Sequence, residues 1–276
     1  MRGAACEIIG CGWCYISMEI RREQLVRYIT PLREGGSLPA LAEAADELKY
    51  VVKFRGAGHG AKALIAEFIG SEVARALGFR VPEVVFLDIS EDFGRSEGDE
   101  EIQDLLKNSQ GLNLGLHYLS GAMTMDPYVN DVDALTASKL VWLDAFLTNV
   151  DRTVRNTNML IWNRELWLID HGASFIFHHA WGDPEKAALS PFPYIKDHAL
   201  LHRATLLPQA DKELRQRITP RTLCRIVDAV PDEWLHWEDS DLTPAMIRDA
   251  YKKFLTTRLA NSSIFVNAAV EAQKAR

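Results

Sequence analysis

The sequence predicts an α+β fold of two lobes, a small strand-rich lobe followed by a mostly helical lobe. Strand-like apolar runs, with one long helical pattern among them, occupy the chain up to about residue 119, whereas helical periodicity dominates from about residue 199 onward. A polar loop at 149–158, followed by a hairpin pattern, belongs to the second lobe. With 276 residues, 47% of them hydrophobic, the chain can bury a core large enough for both lobes.

Residues 18–119 are predicted to form the first lobe. Its best strand candidate is the apolar run Tyr50-Val-Val-Lys-Phe54, and Gly78 supplies a helix stop after a pattern of helical spacing. The predicted elements are, in order, a charged helix that starts at Met18, paired strands at 40–46 and 49–54, a helix at 61–78, a strand at 84–89, a solvated acidic loop at 90–101 and a connecting strand at 112–119.

Residues 120–276 are predicted to form the second lobe. An apolar helix at 132–147 precedes the polar loop, and two short strands at 159–162 and 166–169 follow it. Proline is favoured in the first turn of a helix, where its missing N–H costs nothing. Four prolines therefore mark helix starts in the last part of the chain: Pro208, Pro220, Pro231 and Pro244.

Residues 1–17 are expected to be a leader that is disordered or not native, with translation beginning at Met18. Three of the four cysteines lie there, at Cys6, Cys11 and Cys14. A zinc site needs a second pair of ligands beside Cys11 and Cys14, and the sequence offers none nearby. Glu7 interrupts what would have to be the apolar core of a signal peptide, so a cytoplasmic protein is expected.

Composition excludes two broad classes of function. A formal net charge of −7 argues against a surface built mainly for DNA or RNA, because such surfaces neutralise phosphates with clustered Lys and Arg. No apolar run approaches the roughly 20 residues that a membrane-spanning helix needs. The sequence does not predict the oligomeric state.

Two charged residues interrupt apolar patterns in the first lobe. Lys53 lies within a predicted strand and Glu67 within the following helix. A buried ammonium group is costly unless it reaches a partner, and a strand Lys paired with a helix Glu positions nucleotide phosphates in kinases. The alternative is that Lys53 points outward from an edge strand and Glu67 lies on the solvated face of the helix.

The polar loop and hairpin carry the most specific pattern. Asp151 and Asn156 lie five residues apart in the loop, and the hairpin ends in Asp170-His-Gly172. Phosphoryl transfer needs a carboxylate at the acceptor hydroxyl and oxygen ligands for magnesium, and this spacing supplies both. Taken alone, Asp and Asn are also common turn residues that bond to nearby backbone.

The stretches VVKF…AEF and NVDRTVRNTNMLIW…LWLIDHGASF resemble the HipA-like kinases, a bacterial branch related in pattern to the phosphatidylinositol kinases. The resemblance runs roughly over residues 38–175 and implies an atypical protein-kinase-like fold, ATP and Mg²⁺ as cofactors, and transfer to a Ser or Thr hydroxyl. It also implies site roles: phosphate contact by Lys53, support of Lys53 by Glu67, a catalytic carboxylate at Asp151, magnesium ligands at Asn156 and Asp170, and nucleotide contacts along the connecting strand from His117, Tyr118 and Leu119.

The chain departs from the family pattern at one loop position and in length. Many relatives have His two residues after the loop Asp, whereas this chain has Thr153, which offers no imidazole. The sequence before Lys53 is too short for the extra N-terminal subdomain of the larger HipA proteins, which indicates a short type with one kinase domain. Two alternatives stay open: a small-molecule or lipid-type kinase, and a nucleotide-binding pseudokinase that acts as a regulatory module.

Several further side chains near the motifs have competing interpretations. Arg152 and Arg155 would either neutralise transferred phosphate or pair with nearby acids. Asn158 is a second candidate magnesium ligand. Histidines at 171, 178 and 179 lack ligand partners at metal-binding spacing, and Trp234 and Trp237 fit packing better than base stacking.

Overall fold

The structure, a computed structural model, describes residues 19–32, 38–58, 60–94, 98–237 and 241–276. The expected leader at 1–17 lies outside these residues. The described strands are β1 (Arg22–Pro31), β2 (Ala40–Ala44), β3 (Lys49–Lys53), β4 (Val84–Ile89), β5 (Gly111–His117), β6 (Met123–Thr124), β7 (Met159–Trp162) and β8 (Glu165–Leu168). The described helices are α1 (Ala61–Ala76), α2 (Glu100–Asn108), α3 (Ala134–Leu147), α4 (Phe177–Ala180), α5 (Pro184–Ala188), α6 (Leu207–Arg217), α7 (Pro220–Asp228), α8 (Pro244–Ala260) and α9 (Ser263–Lys274). The α+β class is confirmed.

Five strands close into a barrel in the order β1-β2-β3-β5-β4. Antiparallel ladders join all neighbours except β1 and β4, which pair in parallel and complete the ring. Alternate residues of these strands point inward, as the two-residue period of a strand requires. The interior is filled by a compact apolar cluster that includes Leu25, Tyr50, Val52, Val85 and Leu87.

The helix predicted at Met18 is wrong for the part that the structure describes. Residues 19–21 are not helical, and the charged run continues into β1. The pairing partner of this run is far away in sequence, because Arg22, Glu23 and Gln24 align with residues 86–88 of β4. A pattern read along the chain cannot include such a partner, and long-range pairing therefore overrode the local helical preference.

The other strand predictions in this part are confirmed to within two residues at each end, and a helix was missed in the acidic segment. Helix α2 begins inside the stretch that was predicted as loop. Asp99 caps it by accepting hydrogen bonds from the N–H groups of Glu101 and Ile102. Acidic residues in the first turn suit the positive end of the helix dipole.

Helix α1 is enclosed by its neighbours. Residues 64–74 are all buried, and the helix belongs to the large apolar cluster that also contains residues of α3 and α6 to α9. Trp234 joins this region to the barrel. Its ring lies 5.4 Å from Phe86 of β4 and 6.5 Å from Phe68 of α1, and its indole N–H donates to the carbonyl of Leu112. Trp234 is thus a packing residue.

The C-terminal part is helical apart from a small sheet. Helix α3 packs against α6, α8 and α9, and β6, β7 and β8 form a three-stranded sheet. Pro208, Pro220 and Pro244 lie in the first turns of α6, α7 and α8, as predicted. None of the described helices combines the length and the low polarity that a bilayer crossing requires.

Candidate active site

Lys53, the last residue of β3, contacts two carboxylates from distant parts of the chain. Its Nζ lies 2.7 Å from Oε2 of Glu67 on α1 and 2.5 Å from Oδ1 of Asp170, which follows β8. The predicted ion pair between Lys53 and Glu67 is confirmed. Asp170 is 117 residues from Lys53 in sequence, so the barrel strand, α1 and the hairpin meet at one ammonium group.

Burial and charge set the ionisation of this group of three. Burial alone would lower the pKa of Lys53, but Glu67 and Asp170 outweigh it and hold that pKa above its ordinary value. The Lys53 ammonium in turn lowers the pKa of Asp170. Burial raises the pKa of Glu67, and the neighbouring ammonium opposes that rise. Lys53 and Asp170 are therefore charged at neutral pH.

Glu67 also fixes the backbone beside Asp170. Its Oε2 accepts a second hydrogen bond, from the N–H of His171 at 2.8 Å. The other oxygen, Oε1, is buried and has no hydrogen-bond partner among the described residues. Helix α1 approaches closely enough for this contact because Gly70 faces His171. A Cβ at Gly70 would lie 2.5 Å from the Cβ of His171.

The loop residues Asp151, Asn156 and Asn158 form one hydrogen-bonded group. Oδ2 of Asp151 accepts from Nδ2 of Asn156 at 2.8 Å and from Nδ2 of Asn158 at 3.2 Å. Each side-chain amide donates a hydrogen bond from its NH₂ group to the carboxylate. Its amide oxygen therefore stays available to ligate a cation. Thr153 closes the turn through backbone hydrogen bonds to Asp151 and Asn156.

Arg152 belongs to the loop, but its side chain points into the interior beneath it. The side chain is buried, and its Nε donates to Oδ2 of Asp144 at 2.6 Å. The interpretation in which Arg152 pairs with an acid is confirmed, and the one in which it faces transferred phosphate is wrong because no part of it reaches solvent. Arg155 is exposed.

The connecting residues His117, Tyr118 and Leu119 lie where β5 leaves the barrel. The N–H of Tyr118 donates to the carbonyl of Lys49, and Leu119 is buried. Nδ1 of His117 is also buried, and no described residue hydrogen-bonds to it. In the part of the chain that the structure describes, these three residues make no hydrogen bond to Lys53 or Asp170. Their predicted contact with a nucleotide stays a prediction.

The donor groups fit a hard divalent cation better than a transition metal. Within the residues the structure describes, no group of three or more His, Cys, Asp or Glu side chains is arranged to hold a metal. The carboxylate of Asp170 and the amide oxygen of Asn156 are the oxygen ligands that Mg²⁺ takes alongside water and phosphate. The side chain of Asp170 is 39% exposed, which leaves room for those further ligands.

Sequence reasoning missed two buried members of the site, Asp144 and His198. Nε2 of His198 lies 2.9 Å from Oδ2 of Asp144, across 54 positions of sequence. A signal for Asp144 existed, because it is a lone acid inside the apolar run Leu-Val-Trp-Leu-Asp-Ala-Phe of α3. The same argument that singled out Lys53 and Glu67 applies to it.

Comparisons with known proteins place the chain among kinases by family. A family model described as HipA-like kinase matches residues 25–263. The fold is similar to that of the Helicobacter pylori proinflammatory kinase CtkA, with a TM-score of 0.55 and 13% identity over 93% of this chain and 98% of that one. A Golgi casein kinase with Mn/ADP bound gives a TM-score of 0.46 and 14% identity over 93% of this chain and 74% of that one. No curated protein matches the chain.

Proposed function

Because the chain belongs to the HipA-like kinase family and is therefore a phosphotransferase, we propose that it moves the terminal phosphate of ATP to a Ser or Thr hydroxyl of a protein, with Mg²⁺ as cofactor. The observation that carries the proposal is the contact of Lys53 with both Glu67 and Asp170. Three elements converge there on one buried cation. The loop that carries the Asp151 carboxylate and two amides joins the hairpin next to Asp170, because the N–H of Ile169 donates to the carbonyl of Asn158.

Each side chain has a role in this proposal. Lys53, held by Glu67, binds the phosphates, while Asp170 and Asn156 bind the metal ion, which would neutralise charge on the phosphates during transfer. Asp151 orients the acceptor hydroxyl and accepts its proton as the new O–P bond forms and the bond to ADP breaks. His198 does not replace the imidazole that Thr153 lacks, because both of its ring nitrogens are engaged, with Asp144 and with the N–H of Leu200.

The proposal assigns the lobes as follows. Residues 18–119 act as the N-lobe and residues 120–276 as the C-lobe, with the nucleotide between them. The segment His117-Tyr-Leu119, where the chain passes from the barrel toward the helices, contacts the base. We place the enzyme in the cytoplasm.

The first test follows labelled ATP in the presence of Mg²⁺ and a protein lysate. We expect label on protein. Asp151→Asn should reduce turnover at least about a hundredfold and leave ATP binding nearly unchanged, whereas Asp170→Asn should weaken both ATP binding and turnover. Asp104→Asn is the matched control, because that carboxylate is 74% exposed and pairs with Lys107 on α2. It should behave like the parent.

Other outcomes separate the alternatives. Label on a small molecule or lipid, with the same response to Asp151→Asn, would keep the catalytic roles and replace the acceptor. Magnesium-dependent ATP binding without transfer to any acceptor would favour the pseudokinase, and Thr153→His would then be the first variant to assay for gained activity. Full transfer by Asp151→Asn would contradict the role given to that residue.

A further inference from the structure

A buried charged cluster lies beneath the catalytic loop. Asp144, Arg152 and His198 are 0%, 1% and 3% exposed. Asp144 accepts from Nε of Arg152 and Nε2 of His198 through Oδ2, and from Nδ2 of Asn149 through Oδ1 at 3.1 Å. Taking these charges out of water is costly, and well-packed apolar side chains often give equal or greater stability. A buried ion pair of this kind therefore calls for a role other than stability.

The direction of each hydrogen bond in the cluster is determined by its neighbours. The N–H of Leu200 donates to Nδ1 of His198 at 3.0 Å, so the ring proton is on Nε2 and points to Asp144. Burial alone would raise the pKa of Asp144, but Arg152 and His198 hold it well below its usual range. Asp144 is thus a permanent anion that holds the Nε edge of Arg152.

The other edge of the Arg152 guanidinium reaches both proposed metal-binding segments. Nη1 donates to the carbonyl of Asn158, and to the carbonyl of Ile169 at 3.3 Å. The first carbonyl belongs to the loop that carries Asn156, and the second belongs to the peptide bond that leads into Asp170. One planar cation therefore spans the loop and the end of the hairpin.

Both segments have backbone that needs such support. Asn158 and Asp170 have φ of 48° and 56°, in the left-handed region. Non-glycine residues there persist where surrounding contacts over-determine the conformation, and they cluster at functional sites. The guanidinium bonds to the carbonyl of the first of these residues and to the carbonyl that immediately precedes the second.

We propose that Arg152, oriented by Asp144 and His198, is a positioning residue that sets the orientation of Asp170 and of the Asn156 loop toward the metal ion. This proposal rests on the function proposed above. A Lys at this position would keep the charge but not the planar fork that bonds to Asp144 and to two carbonyls at once.

The test compares two buried arginines. Arg258 is 0% exposed and also bonds to carbonyls, those of Ala145, Ala188 and Ser190, but to neither metal-binding segment. Both Arg152→Lys and Arg258→Lys should lower the melting temperature. The test measures binding of a non-hydrolysable ATP analogue by calorimetric titration at several Mg²⁺ concentrations. The Mg²⁺ requirement, meaning the Mg²⁺ concentration that gives half-maximal binding, should rise at least about tenfold in Arg152→Lys and change little in Arg258→Lys.

Each result decides a different claim. A parent protein that binds no Mg²⁺–nucleotide would overturn the proposed function itself. A parent that binds, together with equal Mg²⁺ requirements for the two variants, would overturn only the positioning role. If Arg152→Lys does not fold, the same titration is made with Asp144→Asn, which keeps the shape of the side chain and removes its charge. An unchanged Mg²⁺ requirement in that variant would likewise contradict the proposal.

Discussion

At the scale of single residues, the site depends on groups whose ionisation is fixed by burial. His171 is fully buried between the Glu67 contact and the Arg152 guanidinium, which lies 3.5 Å from its Nδ1. Burial, with the nearby charge of Arg152, lowers the pKa of His171 to about 3. The ring is therefore neutral throughout the physiological range.

This lowered pKa predicts an acid-sensitive fold. The unfolded chain binds a proton at His171 below about pH 6.5, whereas the folded chain does so only near pH 3, so stability falls as the pH falls between these values. Urea unfolding at pH 7 and pH 5 should show a loss of stability that is smaller in His171→Asn than in the parent by about 1–2 kcal/mol. The exposed His236 provides the control, and His236→Asn should keep the parent's pH dependence. Equal losses in parent and His171→Asn would assign the acid sensitivity to other groups.

Two kinds of site residue could be predicted from sequence: charged residues inside apolar patterns, and polar residues at a characteristic spacing within one loop. Lys53 and Glu67 interrupt apolar patterns, and the structure brings them into contact. Asp151 and Asn156 share a loop, so their contact needs only local geometry. Asp170 contacts Lys53, and His198 contacts Asp144, across long stretches of sequence. These contacts depend on how the whole chain folds, so a local sequence pattern cannot predict them.

At the scale of elements, long apolar patterns were predicted well and short or charged ones were not. Helices α1 and α3 were predicted because apolar residues recur along them, and Gly78 marked the end of α1. Strand β1 was mistaken for helix because its partners are in β2 and β4, and α2 was missed because its charges suggested a loop although Asp99 offered a cap. The placement of α1 against the hairpin could not be predicted, because it depends on how closely Gly70 and His171 approach.

That close approach predicts an unusual response to a mild substitution. Ala normally favours a helix interior over Gly by about 1 kcal/mol. At Gly70 the added Cβ would meet Cβ and Cγ of His171 at 2.5 Å and 2.9 Å, so Gly70→Ala should instead destabilise the protein by about 1–3 kcal/mol. Turnover should fall too, because α1 carries Glu67. Gly182→Ala is the control, since its Cβ would meet nothing within 4 Å. A Gly70→Ala protein more stable than the parent would mean that α1 and the hairpin separate without cost.

At the scale of the whole molecule, Trp234 packs between the helical part and the barrel. It is fully buried, and it contacts β4 and β5 of the barrel as well as α1. Trp142 is equally buried but lies wholly within the helical part, where it stacks on Phe146. The two tryptophans therefore form a pair of comparable size and burial that differ in what they join.

Replacing each tryptophan in turn should distinguish an effect on the free energy of unfolding from an effect on the cooperativity of unfolding. Trp234→Ala and Trp142→Ala should each cost about 3–5 kcal/mol. Only Trp234→Ala should also loosen the coupling between the barrel and the helices. In scanning calorimetry its calorimetric enthalpy should then exceed its van't Hoff enthalpy, whereas Trp142→Ala should keep the ratio of the parent. An unchanged ratio for Trp234→Ala would show that other contacts suffice to couple the two parts.

The enclosure of α1 has a consequence for control. Kinases that are switched by moving this helix break and remake the Lys–Glu pair between a strand and the helix. Here residues 64–74 have no solvent-facing side, and at the start of the helix Lys62 donates to the carbonyl of His178 and lies 4.5 Å from the ring centre of Trp237. Swinging α1 outward would expose apolar surface along much of its length. A regulatory switch that moved this helix would therefore have to expose the apolar side chains of residues 64–74, at a large cost in free energy.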